Sequence, residues 1–125
     1  MKTIIIGAGI GGLTAGIALE QAGLDVEIFE REPELRAVGA GLTLWANAIH
    51  ALDKIGLGDA LREHSIMGSK GGIHSQTGQD IMVTDTDTMA KHVGIPNVVI
   101  HRAELQALLL EHFKGIIHYT KSLIS

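Results

Sequence analysis

Four glycines near the N-terminus most constrain what this chain can fold into. They follow a run of β-branched residues, Thr3 to Ile6, and stand at Gly7, Gly9, Gly11 and Gly12. Because the run does not alternate between apolar and polar residues, it predicts a strand buried on both faces. A helix is expected next, from about Gly11 to Ala22, with a stop at Gly23. Its inner face is expected to carry small residues: Ala15, Gly16, Ala18 and Ala22.

Three of the four glycines of this turn have a distinct physical use. Gly7 allows a tight turn out of the strand, and Gly9, without a Cβ, lets the backbone approach a bound group closely. Gly12 allows the helix to pack against the sheet. The positive end of the helix then points at the turn, where it favours an anion such as a pyrophosphate.

An acid follows at the expected place. Val26 to Phe29 is predicted as a second strand, and Glu30 ends it, 18 residues after Gly12. This spacing is close to the ~20 residues that separate such a turn from the acid that hydrogen-bonds a ribose hydroxyl. The sequence therefore predicts a site for the adenosine diphosphate half of a dinucleotide. A glycine-rich turn in another kind of α/β protein would not explain Glu30, and the glycines argue against a membrane anchor or signal peptide.

Composition excludes several other functions. The 125 residues suffice for one domain, the net charge is −4, and only four residues are Trp, Tyr or Phe, so a nucleic-acid partner is not expected. The absence of cysteine excludes disulfides and thiolate zinc sites and fits a cytoplasmic protein. The seven histidines contain no pair at helical i, i+4 spacing, and no metal site is expected.

The remaining patterns predict alternating helices and strands. A helix is expected from Trp45 to Ile55, with a stop at Gly56. A short helix capped by Asp59 is expected to run to about His64. A third is expected from Arg102 to His112. Two strands, Ile66 to Ser75 and Gln79 to Thr84, are expected to form a hairpin that turns at Thr77-Gly78. Further strands are expected at Val98 to Ile100 and at Ile116 to Tyr119. Asp85 to Asn97 is expected to be a loop. Because larger sheets of this kind need more strands, residues 1–125 are expected to be the truncated N-terminal part of a cofactor-binding domain without a substrate domain, and to self-associate.

Two segments carry a family resemblance. Gly7 to Leu19 with Glu30-Arg31 resembles the N-terminus of FAD-dependent oxidoreductases with the glutathione-reductase type of fold. Val38 to Ala48, continuing through Gly56-Leu57, and His101 to Gln106 resemble the single-component FAD-dependent aromatic hydroxylases that act on salicylate, hydroxybenzoate or urate. The resemblance implies an α/β, Rossmann-like, three-layer FAD/NAD(P)-binding fold, here incomplete and with a β-hairpin insertion.

The resemblance also implies roles for individual residues. Gly11 is expected at the pyrophosphate, Glu30 at the adenosine ribose with Arg31 beside it, and Thr43 near the flavin side. Arg102 is expected to contact the FAD phosphates, and Arg36 is a weaker candidate. No catalytic or substrate-selecting residue can be named.

The activity implied is that of a monooxygenase. FAD would be bound, NAD(P)H would reduce it transiently, and one oxygen atom would reach a small aromatic or related substrate; this chain alone is expected to be inactive. Three alternatives stay open: an FAD enzyme of another class, such as an amine oxidase or desaturase; a nicotinamide-binding enzyme, since Glu30 alone does not separate NAD from FAD; and a non-catalytic flavoprotein with an interaction role.

Overall fold

The computed structural model describes residues 2–35, 39–67, 71–84, 88, 91–92 and 94–124. Four helices of six residues or more lie within these ranges: α1 (Ile10–Gln21), α2 (Ala46–Lys54), α3 (Gly58–Glu63) and α4 (Arg102–His112). The strands are β1 (Lys2–Ile6), β2 (Asp25–Phe29), β3 (Gly41–Leu44), β4 (Ile66–Met67), β5 (Gly71–His74), β6 (Asp80–Thr84), β7 (Val98–His101) and β8 (Ile116–His118). No helix in the described ranges is long and apolar enough to cross a membrane.

A parallel three-stranded sheet organises the fold. Its order is β1-β2-β8, with Ile5 opposite Ile28 and Ile28 opposite Ile117. Helices α1 and α4 lie together beside it, and their buried side chains share one core with Val26 and Ile28. The strand predicted at Ile116 to Tyr119 is therefore confirmed as β8, and it is the third strand of this parallel sheet.

The second face of this sheet is open, which corrects the expectation that β1 is buried on both faces. Ile4 is 59% exposed and Ile6 is 54% exposed, whereas Ile5, which points to the opposite face, packs against the core. The absence of alternation in the sequence reflects apolar residues on both faces, but the helices of the described residues cover only one of them.

The inner face of α1 also differs from the prediction. The buried residues are Leu13, Gly16 and Ile17, and the predicted Ala15 and Ala18 point to solvent. Spacings of three and four put the buried set on one stripe of the helix. Gly16 is the predicted member that lies inside, where an added Cβ would come within 2.8 Å of the Phe113 ring.

Both glycine stop signals behave as predicted, and one predicted helix start does not. Gly56 has a φ of +78°, and the Leu57 N–H donates to the Leu52 carbonyl over 2.9 Å, which is a Schellman ending for α2. Gly23 ends α1 in the same way. The predicted cap of α3 is wrong, because Asp59 lies within its first turn and contacts Arg62 at 3.4 Å instead.

A second sheet, of order β3-β7-β4 and antiparallel throughout, leads directly into α4. Gly41 stands opposite His101, and the next residue, Arg102, donates its N–H to the Ala40 carbonyl over 3.1 Å. The β3–β7 pairing thus fixes the start of α4.

The predicted hairpin is confirmed as β5–β6, with Gly78 at a φ of +82° in its turn. Its first strand was predicted to begin at Ile66, but Ile66 and Met67 pair with β7 instead.

In the predicted loop from Asp85 to Asn97, the described residues Thr88, Lys91 and His92 have helical backbone. These three residues are polar and give no apolar stripe by which a helix is recognised in sequence.

Two neighbouring glycines of α1 give a matched test of this packing. A Cβ on Gly12 would overlap the Gly7 carbonyl oxygen, whereas a Cβ on Gly11 would meet nothing within 4 Å. Gly12→Ala should therefore lower the free energy of unfolding by about 1–3 kcal/mol through overpacking. Gly11→Ala should leave it unchanged or raise it by up to ~1 kcal/mol, because alanine favours the helix. Urea titration of both variants measures this; equal effects would contradict the packing described.

Candidate nucleotide-binding site

A cleft of about 780 Å³ opens at the carboxyl ends of β1 and β2. The strand ends contribute Ile6 and Phe29 to its walls, and the glycine turn contributes Gly7 and Gly9. The other lining residues come from the chain after β2, from α4 and from the segment after β8: Glu30, Arg31, Glu32, Glu34, Leu35, Arg102, Gln106, Lys121, Ser122 and Leu123. Ligands of parallel α/β sheets bind at this end of the strands.

The turn itself is held by hydrogen bonds on both sides of Ala8. The Ala8 N–H donates to Glu30 Oε2 over 2.7 Å, and the Ala8 carbonyl accepts from Gln106 Nε2 over 3.0 Å. Gly7, with a φ of +99°, donates its own N–H to the Phe29 carbonyl over 2.8 Å. We call the two bonds to Ala8 the Ala8 clamp; it ties the turn to β2 and to α4 at once.

The Glu30 carboxylate is nearly buried, at 9% exposure, yet it stays ionised at neutral pH. Its Oε1 accepts from the Glu32 N–H over 2.9 Å. This bond, with those from Ala8 and Arg31, lowers the pKa of Glu30 despite the opposing effect of burial. Since a carboxylate has about four lone-pair positions, the group keeps acceptor capacity for a hydroxyl in the cleft.

The start of α1 is open to an anion. Its N-cap residue, Gly9, supplies no side-chain cap, and the first turn carries no acidic residue. A Cβ at Gly9 or Gly11 would meet nothing within 4 Å, so the turn is not crowded there, and the first N–H groups of a helix have no partner within the helix. Free N–H groups at the positive end of a helix are a site for phosphate groups.

Basic and acidic side chains both line the cleft. Arg102 is the first residue of α4, and its position depends on Gly39, where an added Cβ would lie 2.9 Å from Arg102 Cδ. Arg31 is 78% exposed, with its Nε 3.4 Å from Glu32 Oε1. Lys121 also lines the cleft, and its N–H donates to the Glu30 carbonyl over 2.8 Å. Arg102 and Lys121 thus bring positive charge to the walls of this cleft.

Most of the predicted site residues meet here. Gly7, Gly9, Glu30, Arg31 and Arg102 line the cleft. Gly12 lies behind the turn, against Gly7, and Gly11 faces open space beside it. Thr43 is exposed on β3 and does not line the cleft, and Arg36 lies outside the described residues.

Sequence reasoning missed Gln106 as a site residue. It is 8% exposed, lines the cleft and forms half of the Ala8 clamp. The available signal was its spacing of four from Arg102, which places both side chains on one face of α4.

Two of the histidines have structural contacts: His101 Nδ1 accepts from the Ala103 N–H over 3.3 Å, and His118 stacks on Phe29. No group of three or more potential metal ligands occurs in the part of the chain that is described.

A strand, a glycine turn, an open helix N-terminus and an acid closing the next strand define a dinucleotide-binding β-α-β unit. Residues 1–115 match the family described as "FAD binding domain". The chain belongs to this family of FAD-binding domains.

Individual relatives agree with the predicted resemblance. The chain is 38% identical over 109 residues to "Aurachin C monooxygenase/isomerase" of Stigmatella aurantiaca, covering 87% of this chain and 28% of the relative. It is 37% identical over 118 residues to "3-hydroxybenzoate 6-hydroxylase 1" of Aquipseudomonas alcaligenes, covering 91% and 30%. The resemblance to FAD-dependent aromatic hydroxylases is confirmed, and the chain spans less than a third of the length of these relatives.

The fold is confirmed by a solved structure. The Klebsiella pneumoniae protein HpxO, crystallised with FAD and uric acid, superposes with a TM-score of 0.79 at 27% identity, covering 97% of this chain and 31% of that one. The described sheets and helices therefore have the Rossmann-like FAD-binding fold of that protein.

Acid titration tests the role of Glu30 in the turn. Because the folded-state pKa of Glu30 lies below its unfolded value, ~4.3 for a free glutamate, this carboxylate stabilises the fold above that value. The stabilisation is lost as the pH falls through the lowered folded pKa. Between pH 7 and pH 3, Glu30→Gln should therefore lose less unfolding free energy than the wild type. The exposed Glu34→Gln is the control and should keep the wild-type profile; a wild-type profile for Glu30→Gln would contradict the clamp.

Proposed function

We propose that this chain binds FAD, with the adenosine diphosphate half in the cleft at the end of β1 and β2. The observation that carries the proposal is the combination of the uncapped N–H groups at the start of α1, where a Cβ at Gly9 or Gly11 would meet nothing within 4 Å, with the ionised Glu30 carboxylate across the same turn. The first group suits a pyrophosphate and the second suits a ribose hydroxyl.

The residues would divide the work as follows. Glu30 accepts a hydrogen bond from the adenosine ribose, and the start of α1 binds the pyrophosphate. Arg102 supplies positive charge to the phosphates, and Arg31 lies beside the ribose. Gln106 positions the turn through the Ala8 carbonyl. Thr43, near the flavin side, and Arg36 stay proposals that rest on the family resemblance.

We further propose that residues 1–125 are the N-terminal part of the FAD-binding domain of an NAD(P)H-dependent monooxygenase acting on a small aromatic substrate. The names of the relatives support this activity. Bound FAD would supply the redox and oxygen-activating chemistry. The residues of this chain bind and orient the adenosine end. A cytoplasmic location is proposed from the absence of cysteine.

Equilibrium dialysis tests which dinucleotide is bound. FAD and ADP should bind, because both carry the ribose and diphosphate that the cleft suits. NADP should bind more weakly, because its additional phosphate would be placed close to the Glu30 carboxylate. A clear preference for NADP over FAD would refute the cofactor assignment.

Arg102→Gln tests the phosphate contact. Loss of a charge-assisted hydrogen bond, worth about 1.5–3 kcal/mol, should weaken ADP binding about tenfold or more. Adenosine has no phosphate, so its binding should not change. Arg62→Gln, which alters an arginine outside the cleft, is the matched control and should not affect ADP. An equal effect of Arg102→Gln on ADP and adenosine would show that Arg102 acts on the fold rather than on the phosphates.

A further inference from the structure

The pairing between β2 and β8 ends in a β-bulge. The Glu30 N–H donates to the His118 carbonyl over 2.9 Å. In a regular parallel ladder the Glu30 carbonyl would then accept from the residue two positions after His118, which is Thr120. The Lys121 N–H donates to it instead, over 2.8 Å. The β8 side therefore contains one residue more than a regular ladder, and we call this irregularity the Thr120 bulge.

The backbone of Thr120 is strained. Its φ is +58°, and among the described residues it alone has a positive φ without being a glycine. This conformation is unfavourable for a β-branched residue. Its side chain is exposed, whereas its N–H donates to the Glu32 carbonyl over 3.3 Å, so backbone contacts with the chain after β2 hold it there. Strained residues of this kind cluster at ligand sites, where the surrounding structure maintains them.

The bulge changes which side chains meet the cleft. Successive side chains of a strand point to opposite faces, so one extra residue reverses the facing of those that follow. Bulges next to active sites re-aim side chains in this way. Lys121 takes the ladder position that Thr120 would hold in a regular strand. Because Lys121, Ser122 and Leu123 line the cleft, the bulge determines which side chain of this segment stands beside Glu30.

The order of the strands indicates which part of a nucleotide lies next to the bulge. The sheet has the order β1-β2-β8, and the glycine turn follows β1, Glu30 follows β2 and the bulge follows β8. A nucleotide with its pyrophosphate at the start of α1 and its ribose at Glu30 would therefore meet Lys121 on the side of the ribose away from the phosphates. Lys121 is thus a neighbour of the sugar.

Glu30 and Lys121 have complementary hydrogen-bonding groups. The ionised Glu30 carboxylate only accepts hydrogen bonds, and an ammonium group only donates them. A ribose hydroxyl does both, so one hydroxyl can donate to Glu30 and accept from Lys121. The Lys121 ammonium group forms no ion pair within the part of the chain that the structure describes, which leaves its donors available to a ligand.

From these observations we propose that Thr120 is a positioning residue, whose bulge places Lys121 to donate a hydrogen bond to a ribose hydroxyl of the bound nucleotide. Glu30 and Lys121 together would then select a ribose over a sugar without hydroxyl groups. This inference rests on the proposed binding of the adenosine diphosphate half in the cleft.

Lys121→Met tests the contact with the ribose, because methionine keeps an unbranched side chain and removes the charge. Isothermal titration calorimetry on the 125-residue chain compares ADP with 2′,3′-dideoxy-ADP, which has the same base and phosphates without ribose hydroxyls. ADP binding should weaken about fivefold to tenfold, the equivalent of one hydrogen bond, and dideoxy-ADP binding should change less than about twofold. Lys114→Met, which alters an exposed lysine outside the cleft, is the matched control and should change neither.

Two changes at Thr120 test the bulge. Deletion of Thr120 restores a regular ladder and turns Lys121 to the other face, so it should cause the same selective loss of ADP binding as Lys121→Met. Thr120→Gly keeps the bulge and relieves the strain, so it should keep ADP binding and leave the melting temperature unchanged or raise it. Thr43→Gly alters an exposed threonine of β3 with a φ outside the positive range and should lower the melting temperature.

The outcomes separate this inference from the proposed function. A wild type that binds no ADP would refute both. ADP binding that Lys121→Met leaves unchanged, or weakens as much as dideoxy-ADP binding, would overturn the ribose contact alone. ADP binding that survives deletion of Thr120 would show that the bulge does not position Lys121. If the deletion variant fails to fold, a lowered melting temperature of Thr120→Gly would still contradict the strained bulge, and the Lys121→Met comparison would still decide the contact.

Discussion

The site depends on the hydrogen bond between the Ala8 N–H and the Glu30 carboxylate. At 2.7 Å and nearly out of solvent, it joins the turn after β1 to the end of β2. Gln106 completes the clamp from α4 through the Ala8 carbonyl. Because a buried carboxylate is stable only with such donors, the acid that a ribose would use also builds the turn that a pyrophosphate would use. Glu30 therefore both stabilises the turn and provides the proposed contact with the ribose.

The parts of the fold encoded locally could be predicted from sequence. Glycine spacing located the turn, and Gly56 followed by Leu57 located the end of α2. The bounds of α4, Arg102 to His112, agree with the apolar spacing of its leucines. In each case the signal and the structure involve residues a few positions apart, so no knowledge of the tertiary fold was needed.

Most of the errors and omissions concern contacts between distant segments; the cap of α3 is a local exception, because Asp59 contacts Arg62 within the same helix. Phe113 packs on Gly16 in the buried stripe of α1. The prediction placed the inner face on the alanines instead, and Ala15 and Ala18 are exposed. The open face of β1 depends on which elements cover the sheet. Gln106 joins the site through a partner 98 residues away. The first two of these features leave no periodic pattern in the sequence. The spacing of four between Arg102 and Gln106 indicates a shared helix face but does not indicate the Ala8 partner of Gln106. Arg102 could be predicted because it matches a residue of the family pattern.

The most direct measurement of the central claim is the response of glycine amides to ADP. In a chain labelled with ¹⁵N at glycine, ADP should produce its largest amide shifts at Gly9 and Gly11, at the uncapped start of α1. Gly71, Gly72 and Gly78 of the hairpin should not move. Shifts at the hairpin glycines with none at Gly9 and Gly11 would contradict the account, since the diphosphate would then lie away from the start of α1.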